Sequence, residues 1–134
     1  MKLIVCLDDE RGMMFNHRRQ SRDRVLIADM IDHVGDSLLC VSPYSAPLFG
    51  EDYATLRVAP NPVLSAKEAD FCFVEDTPLP SNLDGANELI IYRWNRLYPS
   101  DVRFDCDMSS FRLAESSKFA GSSHEKIKQE IWKK

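Results

Sequence analysis

Hydrophobic and polar positions along the chain predict several short strands and one clear helix. Residues 3–7 form a continuous apolar run, which is typical of a central strand covered on both faces. From Ser21 onwards, apolar side chains recur at helical spacing as far as Val34, and the pattern predicts a helix with Ser21 as its N-cap and Gly35 as its stop. A second buried strand is predicted over residues 36–41.

The rest of the chain is predicted to alternate short elements with proline-rich turns. After a turn with at most a short helix over residues 42–49, the predicted elements are an exposed strand over 53–58, a helical turn over 65–70, a buried strand over 71–74, and strands over 88–96, 101–106, 111–115 and 130–134. The early alternation of strand and helix indicates an α/β layer arrangement, and the strand-rich end adds antiparallel members. The sequence therefore predicts an α/β fold with one mixed, mainly parallel sheet.

Length and composition favour a single domain over residues 1–134. A chain of 134 residues buries about two thirds of its unfolded surface. This is enough for a hydrophobic core that needs no disulfide or metal to stabilise it. Its four cysteines are far apart in sequence, and most lie in apolar runs. Free buried thiols are therefore predicted, rather than disulfides or zinc ligands.

Apolar runs and charge indicate where the protein is located and which partners it has. No apolar run approaches the roughly 20 residues of a membrane span, and acids follow the first strand too early for a signal peptide. We therefore expect a cytoplasmic protein without membrane contact. A net charge of −4 gives no general attraction to nucleic acid, so a nucleic-acid partner is not predicted.

Four arginines crowd the junction between a loop and the predicted helix: Arg18, Arg19, Arg22 and Arg24. Arginine is suited to two-pronged capture of phosphate or carboxylate, and a helix N-terminus adds free N–H groups and a partial positive charge. Because cations oppose the helix dipole in a first turn, the placement favours binding of a small anionic ligand, a nucleotide or an acidic partner protein. The alternative is a solvated loop whose arginines pair with nearby acids.

Asp8, Asp9 and Glu10 follow the first strand, at the sheet edge where ligands gather in α/β folds. Paired carboxylates hold magnesium through oxygen ligands, and the bound metal supports phosphoester chemistry. A magnesium-dependent phosphoesterase or ribonuclease is therefore one alternative function. A simple polar turn is the other interpretation of the same three acids.

Two further patterns have both a functional and a structural interpretation. Residues 92–96 interleave aromatic and cationic side chains as single-strand nucleic-acid platforms do, but core packing of Tyr92 and Trp94 is favoured in an acidic chain.

Within residues 119–125 a serine lies close to a histidine. Since a nucleophile and its base also need an orienting acid and an oxyanion hole, a flexible polar loop is predicted there.

The order of the terminal elements resembles that of dihydrofolate reductases. The chain opens with an apolar strand, a loop containing Gly12 and a helix, and it ends with the strands 88–96, 101–106, 111–115 and 130–134. The resemblance implies a shortened dihydrofolate reductase-like domain. It also implies that Asp23, near the start of the first helix, corresponds to the buried carboxylate with which that family binds pterin, which makes Asp23 a candidate catalytic residue.

The motifs that bind the nicotinamide cofactor in that family are replaced here. The family's Gly-Arg-x-Thr turn after the second strand corresponds to residues 42–45, Ser-Pro-Tyr-Ser, and its Gly-Gly pair is replaced after Val74 by Glu75 and Asp76. Two acids repel a pyrophosphate, and their side chains fill space that glycine leaves open. We therefore predict a binding module without a cofactor. A divergent NADPH-dependent reductase that uses Asp23 is the alternative.

Parts of the chain also resemble small bacterial proteins that carry the name ribonuclease Z. The shared segments are Arg-Arg-Gln-Ser-Arg-Asp, Tyr-Arg-Trp-Asn-Arg and Gly-Ser-Ser-His-Glu-Lys-Ile. Ribonuclease Z itself resembles metallo-β-lactamases and needs a His-x-His-x-Asp-His cluster. The scattered His17, His33 and His124 do not supply such a cluster.

Overall fold

The computed structural model describes residues 1–51, 53–79, 81 and 83–134. In chain order, the elements of this part of the chain are β1 (Lys2–Leu7), β2 (Gly12–Phe15), β3 (Arg18–Arg19), α1 (Arg24–Val34), β4 (Leu39–Val41), a 3-10 turn (Ala46–Phe49), β5 (Leu56–Val58), α2 (Pro62–Ser65), β6 (Phe71–Phe73), β7 (Glu88–Arg93), β8 (Val102–Arg103), β9 (Arg112–Phe119) and β10 (Ile127–Lys133). Helices are interspersed among the strands as far as β6, and the described elements after β6 are all strands.

Seven strands form one mixed sheet in the order β5-β4-β6-β1-β7-β10-β9. Its first five members are parallel, and β10 runs antiparallel to both β7 and β9. β1 is flanked by β6 and β7, with Ile4 opposite both Phe73 and Ile90. Because both faces of these central strands are covered, their sequences are continuously apolar. The predicted α/β fold with a mainly parallel sheet is confirmed.

Two hydrophobic cores cover the two faces of the large sheet. α1 covers one face and buries Leu26 and Met30. The other face packs mainly against side chains from irregular segments, among them Leu83, Phe104 and Phe111. All four cysteines are free thiols, as predicted, and three of them are buried.

A second, three-stranded sheet in the order β3-β2-β8 stands beside the end of β1. Its β2–β3 hairpin turns at Asn16 and His17, which have positive φ values of 52° and 61°, as a tight two-residue hairpin requires. The N–H of Asp8 donates to the carbonyl of Gly12 at 3.1 Å, so the chain folds back as soon as β1 ends. This reversal carries residues 18–21 to the edge of the large sheet.

The start of α1 differs from the prediction. Its N-cap is Asp23 rather than Ser21, because Asp23 has an extended backbone (φ −146°) and its carboxylate accepts hydrogen bonds from the N–H groups of Val25 and Leu26. The stop at Gly35 is confirmed, with φ at 60°, a conformation that glycine adopts without steric cost.

Other elements also differ in their bounds, and the second helix and β9 show why. The second helix spans Pro62–Ser65 rather than residues 65–70, because proline suits a first helical turn and the backbone is already extended at Ala66. β9 continues to Phe119, beyond the predicted end at residue 115, and nearly all of its side chains are exposed. An edge strand with two exposed faces carries no alternation of polarity from which its length can be predicted.

None of the described helices is long and apolar enough to cross a membrane.

Candidate functional site

The carboxyl ends of β1, β6 and β7 meet under the β2–β3 hairpin and form a narrow cleft. Parallel strands end at the same sheet edge, so Cys6, Glu75 and Trp94 come together there although they are far apart in sequence. Arg19 and Ser21 cover the opposite side. The enclosed cavity measures about 10 Å³, which is roughly the room for one water molecule. Protein side chains therefore fill most of the cleft.

Arg19 and Glu75 occupy the cleft as an ion pair. Nε and Nη2 of Arg19 donate to the two carboxylate oxygens of Glu75 at 3.0 and 3.1 Å, and Ser45 Oγ donates to the same carboxylate at 2.7 Å. The guanidinium also lies over the Tyr44 ring, 4.4 Å from its centroid. Burial alone would lower the pKa of Arg19, but Glu75 raises it above its usual value. Arg19 is therefore charged and already neutralised, so it offers little to an external anion.

A larger cavity, which we call the mouth cavity, adjoins the cleft through Arg19 and Gln20. Its volume is about 310 Å³, and its lining residues are Phe15, Asn16, Arg18, Arg19, Gln20, Tyr98 and Pro99. Successive side chains of a strand point to opposite faces, so Arg18 lies on the outside of β3 while Arg19 points inward. Arg18 is exposed, and the described residues provide it with no ion-pair partner.

Arg22 and Arg24 lie on either side of Asp23, where they line a separate cavity of about 140 Å³ at the start of α1. The N–H groups of this helix end already have protein acceptors. Arg24 N–H donates to Ser122 Oγ at 3.0 Å, and the next two N–H groups donate to Asp23. The four arginines that the sequence groups together are thus divided among three places, and the helix end holds its own carboxylate.

Asp23 is buried and saturated with hydrogen bonds. Its Oδ1 accepts from the N–H groups of Val25, Leu26 and Ser122, and its Oδ2 accepts from the N–H and hydroxyl of Ser123 and lies 3.4 Å from His124 Nδ1. Burial alone would raise the pKa of Asp23, but these hydrogen bonds outweigh burial and hold the pKa far below its usual value. A carboxylate has about four lone-pair sites, and those of Asp23 are taken up by bonds to the first turn of α1 and to the β9–β10 loop. Asp23 therefore caps the helix and anchors the loop. A direct catalytic role for Asp23 stays a prediction.

His124, in the β9–β10 loop, completes a buried polar cluster beside the cleft. Its ring stacks on Trp94 with a centroid distance of 4.6 Å. Nδ1 faces Asp23, and Nε2 lies 2.8 Å from Tyr98 Oη and 3.3 Å from Ser21 Oγ. The imidazole therefore joins the loop to the end of the hairpin, to the start of α1 and to the segment after β7.

The structure does not bring Asp8, Asp9 and Glu10 together. Asp8 is buried, and its carboxylate accepts from the N–H groups of Glu10, Gly12 and Tyr98 and from the Gln20 amide. Burial alone would raise the pKa of Asp8, but these hydrogen bonds hold it below its usual value. Asp9 is exposed, and Glu10 pairs with Arg103 at 3.4 Å. Within the described ranges, no group of three His, Cys, Asp or Glu side chains is arranged to hold a metal ion.

Neither a protein-family model nor a curated protein sequence matches the chain. Among solved structures, the chain is similar to dihydrofolate reductase from Enterococcus faecalis complexed with NADP(H) and RAB-propyl. The TM-score is 0.67, and the match covers 98% of this chain and 94% of that chain at 9% sequence identity. The chain has a dihydrofolate reductase-like fold. At this identity the likeness establishes the fold and nothing about activity.

The sequence resemblance matches residues 42–45 and 75–76 to the family's cofactor motifs, and the structure shows what these residues contact. Glu75, at the Gly-Gly position, is held in the cleft by Arg19. The adjacent Asp76 accepts a hydrogen bond from Ser42 Oγ at 2.7 Å, which ties this position to the turn that corresponds to the family's phosphate-binding turn. Glu75 is thus paired with Arg19, whereas the carboxylate of Asp76 leaves a negative charge that would repel a pyrophosphate.

The dihydrofolate reductase-like fold also assembles residues that the sequence analysis missed. Gln20 and Tyr98 line the mouth cavity, but each is a single polar or aromatic residue in an irregular segment, and no spacing in the sequence links them. From the sequence, Glu75 is predicted only to disfavour a cofactor. Its pairing with Arg19 could not be predicted, because the β2–β3 hairpin brings the two residues together. By contrast, Tyr92 and Trp94 are buried, as their predicted core packing requires.

Proposed function

We propose that this protein binds a small anionic ligand in the mouth cavity, with Arg18 as the residue that pairs with the anion. The observation that carries the proposal is the contrast within β3. Arg19 is neutralised by Glu75, whereas its neighbour Arg18 is exposed beside a cavity of about 310 Å³. A guanidinium is suited to two-pronged capture of carboxylate or phosphate. Arg22 and Arg24 are secondary candidates at the separate cavity beside Asp23.

The remaining lining of the mouth cavity favours a planar ligand. Phe15 is 47% exposed, and it shares the cavity with Tyr98 and Pro99. Aromatic faces stack on heterocycles, and an arginine adds cation–π attraction. A volume of about 310 Å³ lies near the lower end of the range for small-molecule sites. A mononucleotide or an aromatic acid therefore suits the cavity better than the surface of an acidic partner protein.

Gln20 adds a place for a ligand donor. Its Nε2 donates to Asp8 Oδ2 at 2.9 Å and to the Pro99 carbonyl at 3.2 Å, which fixes the orientation of the amide. Its Oε1 is buried and has no hydrogen-bond partner among the described residues. Buried polar atoms normally have partners, so an N–H or hydroxyl group of a ligand, or a water molecule, would satisfy this oxygen.

Thermal unfolding in the presence of adenosine monophosphate tests the proposal, with adenosine and inorganic phosphate at equal ionic strength as comparisons. Adenosine monophosphate should raise the unfolding temperature of the wild type more than adenosine or phosphate does alone. Its base contacts the aromatic lining of the mouth cavity while its phosphate pairs with Arg18. Arg18→Ala should abolish most of this gain, and the control Arg112→Ala, on the exposed strand β9, should retain it. Phosphate strengthens apolar burial in any protein. Equal gains in wild type and both variants would therefore overturn the proposal.

A divergent NADPH-dependent reductase is the second candidate function, and the similarity of fold to dihydrofolate reductase is the observation that favours it. The Arg19–Glu75 ion pair and the neighbouring Asp76 weigh against it, because they place side chains and negative charge at the positions of the cofactor motifs. Direct measurement of NADPH binding separates the two candidates.

A further inference from the structure

A serine, a histidine and an aspartate from distant parts of the chain form one hydrogen-bonded series beside the cleft. Ser21 Oγ lies 3.3 Å from Nε2 of His124, and Nδ1 of the same ring lies 3.4 Å from Asp23 Oδ2. These distances are at the loose end of hydrogen-bond reach, as they often are in sites without a ligand. Ser21 and His124 are separated by 103 positions in the sequence, so no local motif announces them.

Hydrogen bonding assigns a role to each ring nitrogen of His124. The carboxylate of Asp23 is held in its charged form by backbone N–H groups, and a charged carboxylate favours a proton on the nitrogen that faces it. That nitrogen is Nδ1, which also lies 3.0 Å from Ser123 Oγ. The Ser123 hydroxyl donates to the Arg22 carbonyl and to Asp23, so it can accept from Nδ1, and Nε2 carries the lone pair. Nε2 faces two hydroxyl groups, those of Ser21 and Tyr98. This is the protonation pattern that a general base needs in order to accept a proton from a hydroxyl.

The imidazole is held firmly, and the serine is partly exposed. Trp94 stacks on one side of the His124 ring at a centroid distance of 4.6 Å, and 2% of the His124 side chain is exposed. Ser21 is half-buried and lines the cleft cavity of about 10 Å³ together with Arg19 and Gln20. This cavity has room for about one water molecule, so an acyl group reaches the serine only from its solvent-exposed side.

We propose that Ser21 is a nucleophile for transfer of small acyl groups, with His124 as its general base and Asp23 as the positioning residue that orients the base. Ser21 Oγ forms a bond to the acyl carbon of an ester while its proton passes to Nε2 of His124. The bond from the acyl carbon to the leaving oxygen breaks, and that oxygen takes the proton from Nε2. Water then attacks the acyl-serine by the same route and restores the Ser21 hydroxyl. This activity goes beyond ligand binding and does not depend on it.

The test uses p-nitrophenyl acetate with the 134-residue protein. Wild type should release nitrophenolate faster than the buffer background, and Ser21→Ala should lower that rate to the background, because it removes the nucleophile. The control Ser116→Ala, on the exposed strand β9, should match wild type. Thermal unfolding of each variant confirms that it is folded.

Peptide mass spectrometry of wild type after brief exposure to the same ester locates the acyl group without any variant. The proposal predicts an acetyl group on Ser21. Acetylation confined to lysines, or found on Ser123 and absent from Ser21, would overturn it. So would equal rates for wild type and Ser21→Ala.

Discussion

Arg19 and Glu75 hold each other across the cleft, with Nε and Nη2 of the arginine 3.0 and 3.1 Å from the two oxygens of the carboxylate. In the sequence resemblance to dihydrofolate reductases, this glutamate replaces a glycine. One pair of side chains thus closes the cleft, and Arg18, the preceding residue of β3, has no ion-pair partner among the described residues.

Replacing Glu75 by Gln should destabilise the protein, because the charge of Arg19 would then lack its partner in a largely buried site. Loss of hydrogen bonds to a charged group predicts a decrease of about 2–3 kcal/mol in the free energy of unfolding. Urea unfolding measures it. The matched control, Glu115→Gln on the exposed strand β9, should change the free energy by no more than about 0.5 kcal/mol. Similar small effects at both sites would mean that the pair contributes little.

NADPH should not stabilise the wild-type protein. A ligand present at about 100 times its dissociation constant adds about 2.7 kcal/mol to the free energy of unfolding, so a real cofactor site produces a clear rise in the midpoint of thermal unfolding at millimolar NADPH. The carboxylates of Glu75 and Asp76 predict no such rise. A saturable increase would restore the reductase as the leading candidate.

Gly121 lies against Asp23 in a way that leaves no room for a side chain. A Cβ at this position would collide with Asp23 Oδ2 and would lie 2.7 Å from Ile127 Cδ1. We therefore expect Gly121→Ala to lower the free energy of unfolding by about 1–3 kcal/mol, measured by urea unfolding. Gly85→Ala is the control, since a Cβ there meets no atom within 4 Å. Equal stability of the two variants would show that the loop is not clamped as described.

The stability of the protein should fall in acid, partly because of Asp23. Its pKa in the folded state is depressed, whereas an unfolded aspartate titrates near about 3.9. The stabilisation is therefore present above that value and is lost as the pH falls below it towards the folded pKa. Asp23→Asn should flatten the decline of unfolding free energy between about pH 5 and pH 2. Asp32→Asn, an exposed change of the same kind on α1, should leave the decline steep, and a decline equally steep in both variants would contradict the assignment.

The elements that could be predicted from sequence are those whose environment is uniform along their length. β1 and β7 are covered on both faces and have continuous apolar stretches at their centres, and α1 has one buried stripe, so their patterns are plain. β9 was predicted too short because it is an edge strand exposed on both faces. The cap of α1 was misplaced by two residues because both Ser21 and Asp23 are good N-cap residues, and only the backbone of Asp23 has the required shape.

The candidate site was predictable only where neighbours in sequence remain neighbours in space. Arg18 and Arg19 are adjacent in sequence and were therefore predicted to form one cluster. Their side chains point to opposite faces of β3, because successive residues of a strand alternate between its faces. Glu75 and Tyr98 reach the same region through separate crossings of the sheet. No pattern of spacing joins such residues, because their proximity is a property of strand order and loop path.

The most direct test of the central claim, that Arg18 binds an anion in the mouth cavity, is a titration with adenosine monophosphate followed by NMR on isotope-labelled protein. The account predicts saturable changes centred on the signals of Phe15, Arg18 and Tyr98, with small changes at residues 22–25. Arg18→Ala should weaken the fitted affinity at least tenfold, the effect of losing about 1.4 kcal/mol of binding free energy. Changes centred on residues 22–25, or no saturable change at any signal, would contradict the claim.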